Sequence, residues 1–151
     1  MTEQKIEKKV IEKFGKIFLQ NIQIIGSWDT PVLISKGEEL KSTDGILFIK
    51  VNPRLYRTPT VPDAEITVEL TLSVRCENDV KGLKYLSLCE QLVRPLQRWQ
   101  QTYEDYAEDF AIDNEFCPTG FTLNGGTTSV SQDTTIWEYS MSFTIYGLLT
   151  N

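Results

Sequence analysis

The chain has 151 residues, 40% of them hydrophobic and 24% charged, so one domain can bury a core without help from disulfides or metals. Its formal net charge of −6 disfavours nucleic-acid binding through a broad basic face. It contains no histidine, which removes the commonest general base and metal ligand and excludes Ser-His-Asp and Cys-His sites within the chain.

The cysteines and the hydrophobic runs bear on the compartment. Cys76, Cys89 and Cys117 form no close pair, and their odd number argues against a disulfide framework, which favours a reducing environment. We expect no signal peptide, because the N-terminal segment is charged throughout. The longest apolar run is far too short to span a bilayer, so we predict no membrane association.

The first half of the chain predicts one helix and several strands. Thr2–Ile25 predicts an amphipathic helix, since apolar residues recur at spacings of three and four. Pro31–Ser35 and Ile46–Val51 predict short strands that are apolar on both faces and therefore central or covered. Asn52–Asp63 contains three prolines and predicts a loop. Ala64–Cys76 alternates strictly between apolar and polar residues, which predicts a long, half-covered antiparallel strand.

A second helix should follow, capped by Asn78 or Asp79 and running to about Gln100. Its predicted buried stripe comprises Leu83, Leu86, Cys89 or Glu90, Val93, Leu96 and Trp99. In the remaining chain the predicted elements are short strands at Asp109–Ile112 and Gly120–Asn124, a flexible connection at Gly125–Asp133 and a second long strand at Thr134–Leu149.

Together these elements predict an α+β fold: a mostly antiparallel sheet with two helices packed on one face, forming a single domain over residues 1–151. The two long strands are natural antiparallel partners because each is apolar on one side only.

Charge is uneven along the chain. Residues 2–25 carry five Lys and three Glu, whereas residues 104–115 carry six acids and no base. These segments could meet head to tail in an oligomer, or each could be a solvated face.

Carboxylates are the remaining candidates for chemistry. Glu65 and Glu69 lie four apart on one strand face, and Glu138 could lie near them on a paired strand. Paired carboxylates can perform acid–base work or bind Ca²⁺. However, a face on which Glu alternates with Thr and Ser is more often a solvent-facing or interface-facing sheet surface. We therefore predict no catalytic residues, no metal site and no cofactor, and place these three residues in an interface.

The proline-containing loop carries the other predicted interface residues. Arg54, Tyr56 and Arg57 are of the types that anchor protein interfaces. An ordinary surface loop is the alternative for this segment.

The order of elements resembles a known family. A charged N-terminal helix, short strands and a Pro-containing loop precede the segments AEITVELTLSVRC, LKYLSLCEQLVRPLQRW and TTIWEYSMSFTIYG. Over nearly the full length this pattern resembles the tail terminator proteins of long-tailed phages. The resemblance implies a virion protein, assembled in the host cytoplasm, that forms a ring, usually a hexamer. Such a ring caps the tail tube and joins it to the head connector.

The resemblance also implies the partners: further copies of the chain, the tail tube protein and a neck or head-connector protein. DNA would pass through the ring channel without specific binding, and no enzymatic activity is implied. Three alternatives stay open. They are another head–tail joining or tail-tube protein, a cytoplasmic ligand-binding α+β domain that uses the Tyr- and Trp-bearing end of the sheet, and an enzyme that uses carboxylates alone.

Overall fold

One six-stranded sheet organises the protein. A computed structural model describes residues 3–18, 22–27, 31–33, 45–57, 62–75, 81–112, 115–130 and 136–149. In chain order the elements of this part are α1 (Glu3–Phe18), β1 (Gln23–Ser27), β2 (Pro31–Leu33), β3 (Ile46–Arg57), β4 (Pro62–Arg75), α2 (Leu83–Gln101), α3 (Tyr103–Phe110), β5 (Phe116–Val130) and β6 (Ile136–Leu149). None of the described helices is long and apolar enough to cross a membrane.

The sheet is mostly antiparallel, as predicted. Its strand order is β2-β1-β3-β4-β6-β5, and only the β1–β3 pair is parallel. The two long alternating strands are neighbours: β4 and β6 pair from Asp63 opposite Leu148 to Arg75 opposite Ile136. This register puts the apolar side chains of both strands on the same face, which confirms the predicted partnership.

The helices pack on that apolar face, which confirms the α+β fold class. An aromatic cluster holds the layers together at its centre. The ring of Phe143 on β6 lies 5.9 Å from Phe14 on α1, 6.0 Å from Phe110 on α3 and 5.2 Å from Phe121 on β5. Trp99 on α2 completes the cluster and is fully buried. Side chains from all three described helices and from β5 and β6 therefore meet at this point.

The predicted N-terminal helix is too long. The helix α1 ends at Phe18, and β1 begins at Gln23 and pairs in parallel with β3. Ile22 and Ile24 are both buried, which is the period of a strand rather than a helix. The predicted strand at residues 31–35 is described as β2, which covers residues 31–33.

The predicted loop Asn52–Asp63 is mostly strand. The strand β3 continues to Arg57, and β4 begins at Pro62, so only residues 58–61 of the loop lie outside the described residues. A proline at position 53 is tolerated because β1 pairs with β3 only as far as Lys50. Beyond that point, no described strand on this edge requires a backbone N–H.

The predicted buried stripe of the second helix is wrong over its first two turns. Leu83 and Leu86 are 68% and 59% exposed. The helix instead buries Tyr85, Leu88, Leu92, Leu96 and Trp99. Tyr85 determines this phase, because its ring stacks on Trp137 at 5.7 Å and its hydroxyl donates to the backbone oxygen of Glu138 at 2.9 Å. Gly82 occupies the N-cap position, and the predicted caps at residues 78 and 79 lie outside the described residues.

Two predictions in the C-terminal half are also wrong. Asp109 and Phe110 end α3 and form no strand, although Ile112 makes an isolated bridge with Phe116. The predicted connection at residues 125–133 belongs to β5 as far as Val130. Its glycines fit within a strand because the register with β6 shifts between Leu123 and Gly126, as in a β-bulge.

Candidate functional site: the open face of the sheet

The face of the sheet opposite the helices is polar, and we call it the open face. Its outward side chains come mainly from β3, β4 and β6. In the middle of β4 and β6 these outward side chains are mostly Thr, Ser and Glu. All of them except Thr144 are at least partly exposed. Each described helix packs against the opposite face. Five of the six predicted interface residues belong to the open face: Arg54, Tyr56, Glu65, Glu69 and Glu138.

The structure brings three of these residues together. Arg54 and Tyr56 lie in β3, and Arg54 stands directly opposite Glu65 of β4. The hydroxyl of Tyr56 donates to a carboxylate oxygen of Glu65 at 3.5 Å. Arg57 is the last residue of β3, opposite Pro62, and its side chain lies outside what the structure describes. The predicted loop cluster is therefore a cluster at the end of a strand pair.

The three predicted carboxylates do not converge. Glu65 and Glu69 are four residues apart on β4, and Glu138 stands opposite Ser73, four residues further. At about 3.3 Å per residue, each step spans roughly 13 Å along the strand. Carboxyl pairs that share a reaction are typically within about 10 Å. Within the described part of the chain, no group of three Asp, Glu, Cys or His side chains is arranged to hold a metal ion.

A wide, shallow depression of about 440 Å³ lies midway along the open face, where β5 bulges. Glu69, Asn124 and Ser142 contribute polar atoms to its lining. Its hydroxyl groups satisfy one another across strands, because the oxygens of Thr71 and Ser140 lie 3.4 Å apart. The depression is open to solvent and mostly polar, unlike the enclosed apolar pockets that hold small ligands.

A second depression, of about 310 Å³, lies at the end of the open face where β3 ends and β4 begins. Tyr56, Tyr146 and Leu148 line it, and their side chains are 44%, 41% and 40% exposed. Asp63 and Glu65 supply negative charge beside them. Exposed aromatic and aliphatic side chains bordered by charges are typical of protein interfaces.

The basic N-terminal helix and the acidic segment contact each other within the chain. Lys5 forms an ion pair with Glu115 and holds the pKa of that carboxyl below its usual range. Lys13 lies 2.7 Å from one oxygen of Asp109. The other oxygen of Asp109 accepts a hydrogen bond from the buried indole of Trp99 at 2.6 Å. The Lys13–Asp109 pair fixes α1 against α3, and the Lys5–Glu115 pair fixes α1 against the turn before β5, so these charges serve the fold of the monomer.

Cys89 fits a structural role. It is half-buried on α2, and burial raises the pKa of its thiol, which keeps the reactive thiolate scarce at neutral pH. A reactive cysteine normally has a lowered thiol pKa. Tyr85 beside it is similarly affected, because burial raises the pKa of its hydroxyl.

Sequence reasoning missed Tyr146 and Leu148. The sequence does indicate their position. Both residues alternate in step with Glu138, Ser140 and Ser142 along β6, so their side chains lie on the open face. They break the polar pattern of that face, which marks the point where it becomes apolar. Neither a protein-family model nor a curated protein matches the chain.

Proposed function

We propose that this chain is a structural protein of a phage virion, a tail terminator whose ring caps the tail tube and joins it to the head connector. The observation that carries the proposal is the open face. A long polar sheet surface, bordered by exposed Tyr56, Tyr146 and Leu148, has no counterpart within the described chain that would bury those side chains. Exposed tyrosines such as Tyr56 and Tyr146 are of the residue type enriched in contacts with other proteins.

A terminator needs two unlike faces. The end of a growing tube exposes the surface that recruits the next ring, so the terminator must match that surface on one side and present a different one on the other. The described part of this chain has such an asymmetry. Its open face is rich in hydroxyls and aromatic rings, whereas the helical side carries the Lys13–Asp109 pair between α1 and α3 and the Lys5–Glu115 pair. A protein that terminates a polymer needs such an asymmetry, which supports the proposal.

Charge and site composition are compatible with this role. A channel wall that DNA passes without sticking should carry few uncompensated bases, and the net charge of −6 agrees with that requirement. The separation of Glu65, Glu69 and Glu138 gives no support to an enzyme that uses these carboxylates. The shallow, open depressions give little support to a ligand-binding domain. We therefore propose no enzymatic activity and no cofactor.

The proposal is tested by native mass spectrometry and negative-stain electron microscopy of the purified protein over a range of concentrations. We expect closed rings of about six 17.3 kDa chains. Open-ended tubes would refute the terminator and indicate a tail-tube protein instead. A strict monomer that is stabilised by small molecules would favour a ligand-binding domain.

A further inference from the structure

Five of the six large exposed hydrophobic side chains among the described residues fall into two separate patches. The first, which we call the helix patch, comprises Leu83 and Leu86 at the start of α2, with 68% and 59% exposure. The second, which we call the sheet patch, comprises Tyr56, Tyr146 and Leu148 around the second depression. Isolated exposed leucines are common in monomers, but two adjacent leucines one helical turn apart form a continuous apolar ridge.

The two patches lie at opposite ends of the sheet. The start of α2 is next to Trp137, because a Cβ atom added at Gly82 would lie 3.5 Å from the Trp137 ring. Trp137 is near the start of β6, and Tyr146 is nine residues further along it. At about 3.3 Å per residue, the patches are separated by roughly 30 Å along the strand. They also face opposite sides of the sheet, so neither can cover the other within one chain.

The charges around the patches are complementary. Lys81 is exposed immediately before the helix patch. Asp63 and Glu65 line the sheet patch, and Arg54 opposite Glu65 leaves these three side chains with a net negative charge. Opposite charges at the rim of an apolar contact favour one orientation of docking over its reverse.

We propose that the helix patch of one copy docks into the sheet patch of the next copy, with Leu83 and Leu86 entering the depression beside Tyr146 and Leu148. This inference rests on the proposed ring. A contact between two different patches of the same chain is heterologous, and copies joined head to tail in this way form a ring when the rotation closes. Because the patches lie at opposite ends, each copy can use both at once.

Two variants separate the halves of this contact. The helix-patch variant carries Leu83→Glu and Leu86→Glu, and the sheet-patch variant carries Tyr146→Glu and Leu148→Glu. Apolar anchors at the centre of an interface dominate its affinity. We therefore expect the affinity of self-association to fall by more than about tenfold in each variant alone. Mixed in equal amounts, the variants retain one intact helix patch and one intact sheet patch per pair. Native mass spectrometry should then show a one-to-one dimer that does not grow further.

The matched control is Gln91→Glu. Gln91 is an exposed residue of α2 that belongs neither to the two patches nor to the open face, and adding a charge there should leave the wild-type assembly unchanged. Circular dichroism melts of all variants check that each is folded. Rings from both patch variants would overturn this contact while leaving the ring itself standing. Variants that lose assembly but give no dimer on mixing would show that the contact is not head to tail.

The wild type supplies the remaining outcomes. The wild type could form open filaments or pairs instead of rings. If each variant abolishes these assemblies and the mixture of variants forms dimers, the contact is confirmed and the proposed ring is refuted. A wild type that is monomeric at every concentration would overturn the docking of a second copy, whereas the terminator proposal would then depend on binding to tube ends.

Discussion

The replacement Phe143→Ala tests the packing of the core most strongly. Phe143 is fully buried, and its ring lies 5.2 Å from Phe121, 5.9 Å from Phe14, 6.0 Å from Phe110 and 6.5 Å from Trp99. Truncating a buried Phe usually costs about 3–5 kcal/mol, from lost transfer energy and the cavity left behind. Four aromatic neighbours put this site at the upper end, about 4–5 kcal/mol. That loss is about a third or more of the 5–15 kcal/mol by which typical domains are stable.

Urea denaturation followed by circular dichroism measures this effect. With a denaturant slope of about 2 kcal/mol per molar, the midpoint should fall by about 2 M. The matched control is Phe48→Ala, where the side chain is 39% exposed, and we expect a loss of at most about 2 kcal/mol. Similar small losses in both variants would refute the assignment of Phe143 to the centre of the core. The charged replacement Phe143→Asp should prevent folding, so a soluble and equally stable protein would show that the register of β6 is wrong.

Three further predictions concern local features. Gly147→Ala should destabilise the protein by about 1–3 kcal/mol in a thermal melt, because an added Cβ would lie 2.6 Å from the backbone oxygen of Cys117; an unchanged melting temperature would contradict this close approach. In a background without the third cysteine, a thiol reagent at pH 8 should modify exposed Cys117 at least about tenfold faster than Cys89, whose thiol pKa is raised by burial; equal rates would contradict the burial of that thiol. Lys5 lowers the pKa of Glu115, so the pair stabilises the fold above the usual carboxyl pKa and loses this effect as pH falls through the lowered one. Lys5→Met should therefore lower the melting temperature at pH 7 but not at pH 2, and an equal decrease at both pH values would contradict the ion pair.

The long strands were predictable because their pattern is local. In β4 each apolar residue is followed by a polar one, and this period of two by itself specifies a half-covered strand. The partnership with β6 followed because only that strand shares the pattern and the length. The same reasoning failed for Ile22–Ile25, where apolar residues fit the end of a helix as well as a strand. Pairing with β3 decides between the two, and the sequence contains no local sign of that contact.

The errors around the site have a common cause, which is that tertiary contacts override local preference. Prolines predicted a loop over residues 52–63, but Pro53 lies in β3 where the pairing with β1 has already ended. In α2, Leu83 and Leu86 were placed in the core because they continue an apolar period, whereas Tyr85 takes the buried position by stacking on Trp137. Leucines that sequence alone assigns to the core are therefore the strongest surface feature of that helix.

The sequence alone does not predict that Arg54, Tyr56 and Glu65 lie close together. The sequence indicates that these residue types are interface anchors, but it predicts Arg54 and Tyr56 in a loop and Glu65 in a separate strand. The register of β3 against β4 brings them to one end of the open face. Tyr146 and Leu148 lie beside these residues only because β4 pairs with β6.

The most direct test of the proposed function is electron microscopy of tail tubes assembled from the cognate tail tube protein, with this chain added during growth. We predict a ring at one end of each tube and a tube length fixed at the moment of addition, because a bound terminator covers the surface that recruits the next tube ring. Tubes that keep growing with bare ends, or that incorporate the chain along their length, would contradict the proposal that this protein is a tail terminator.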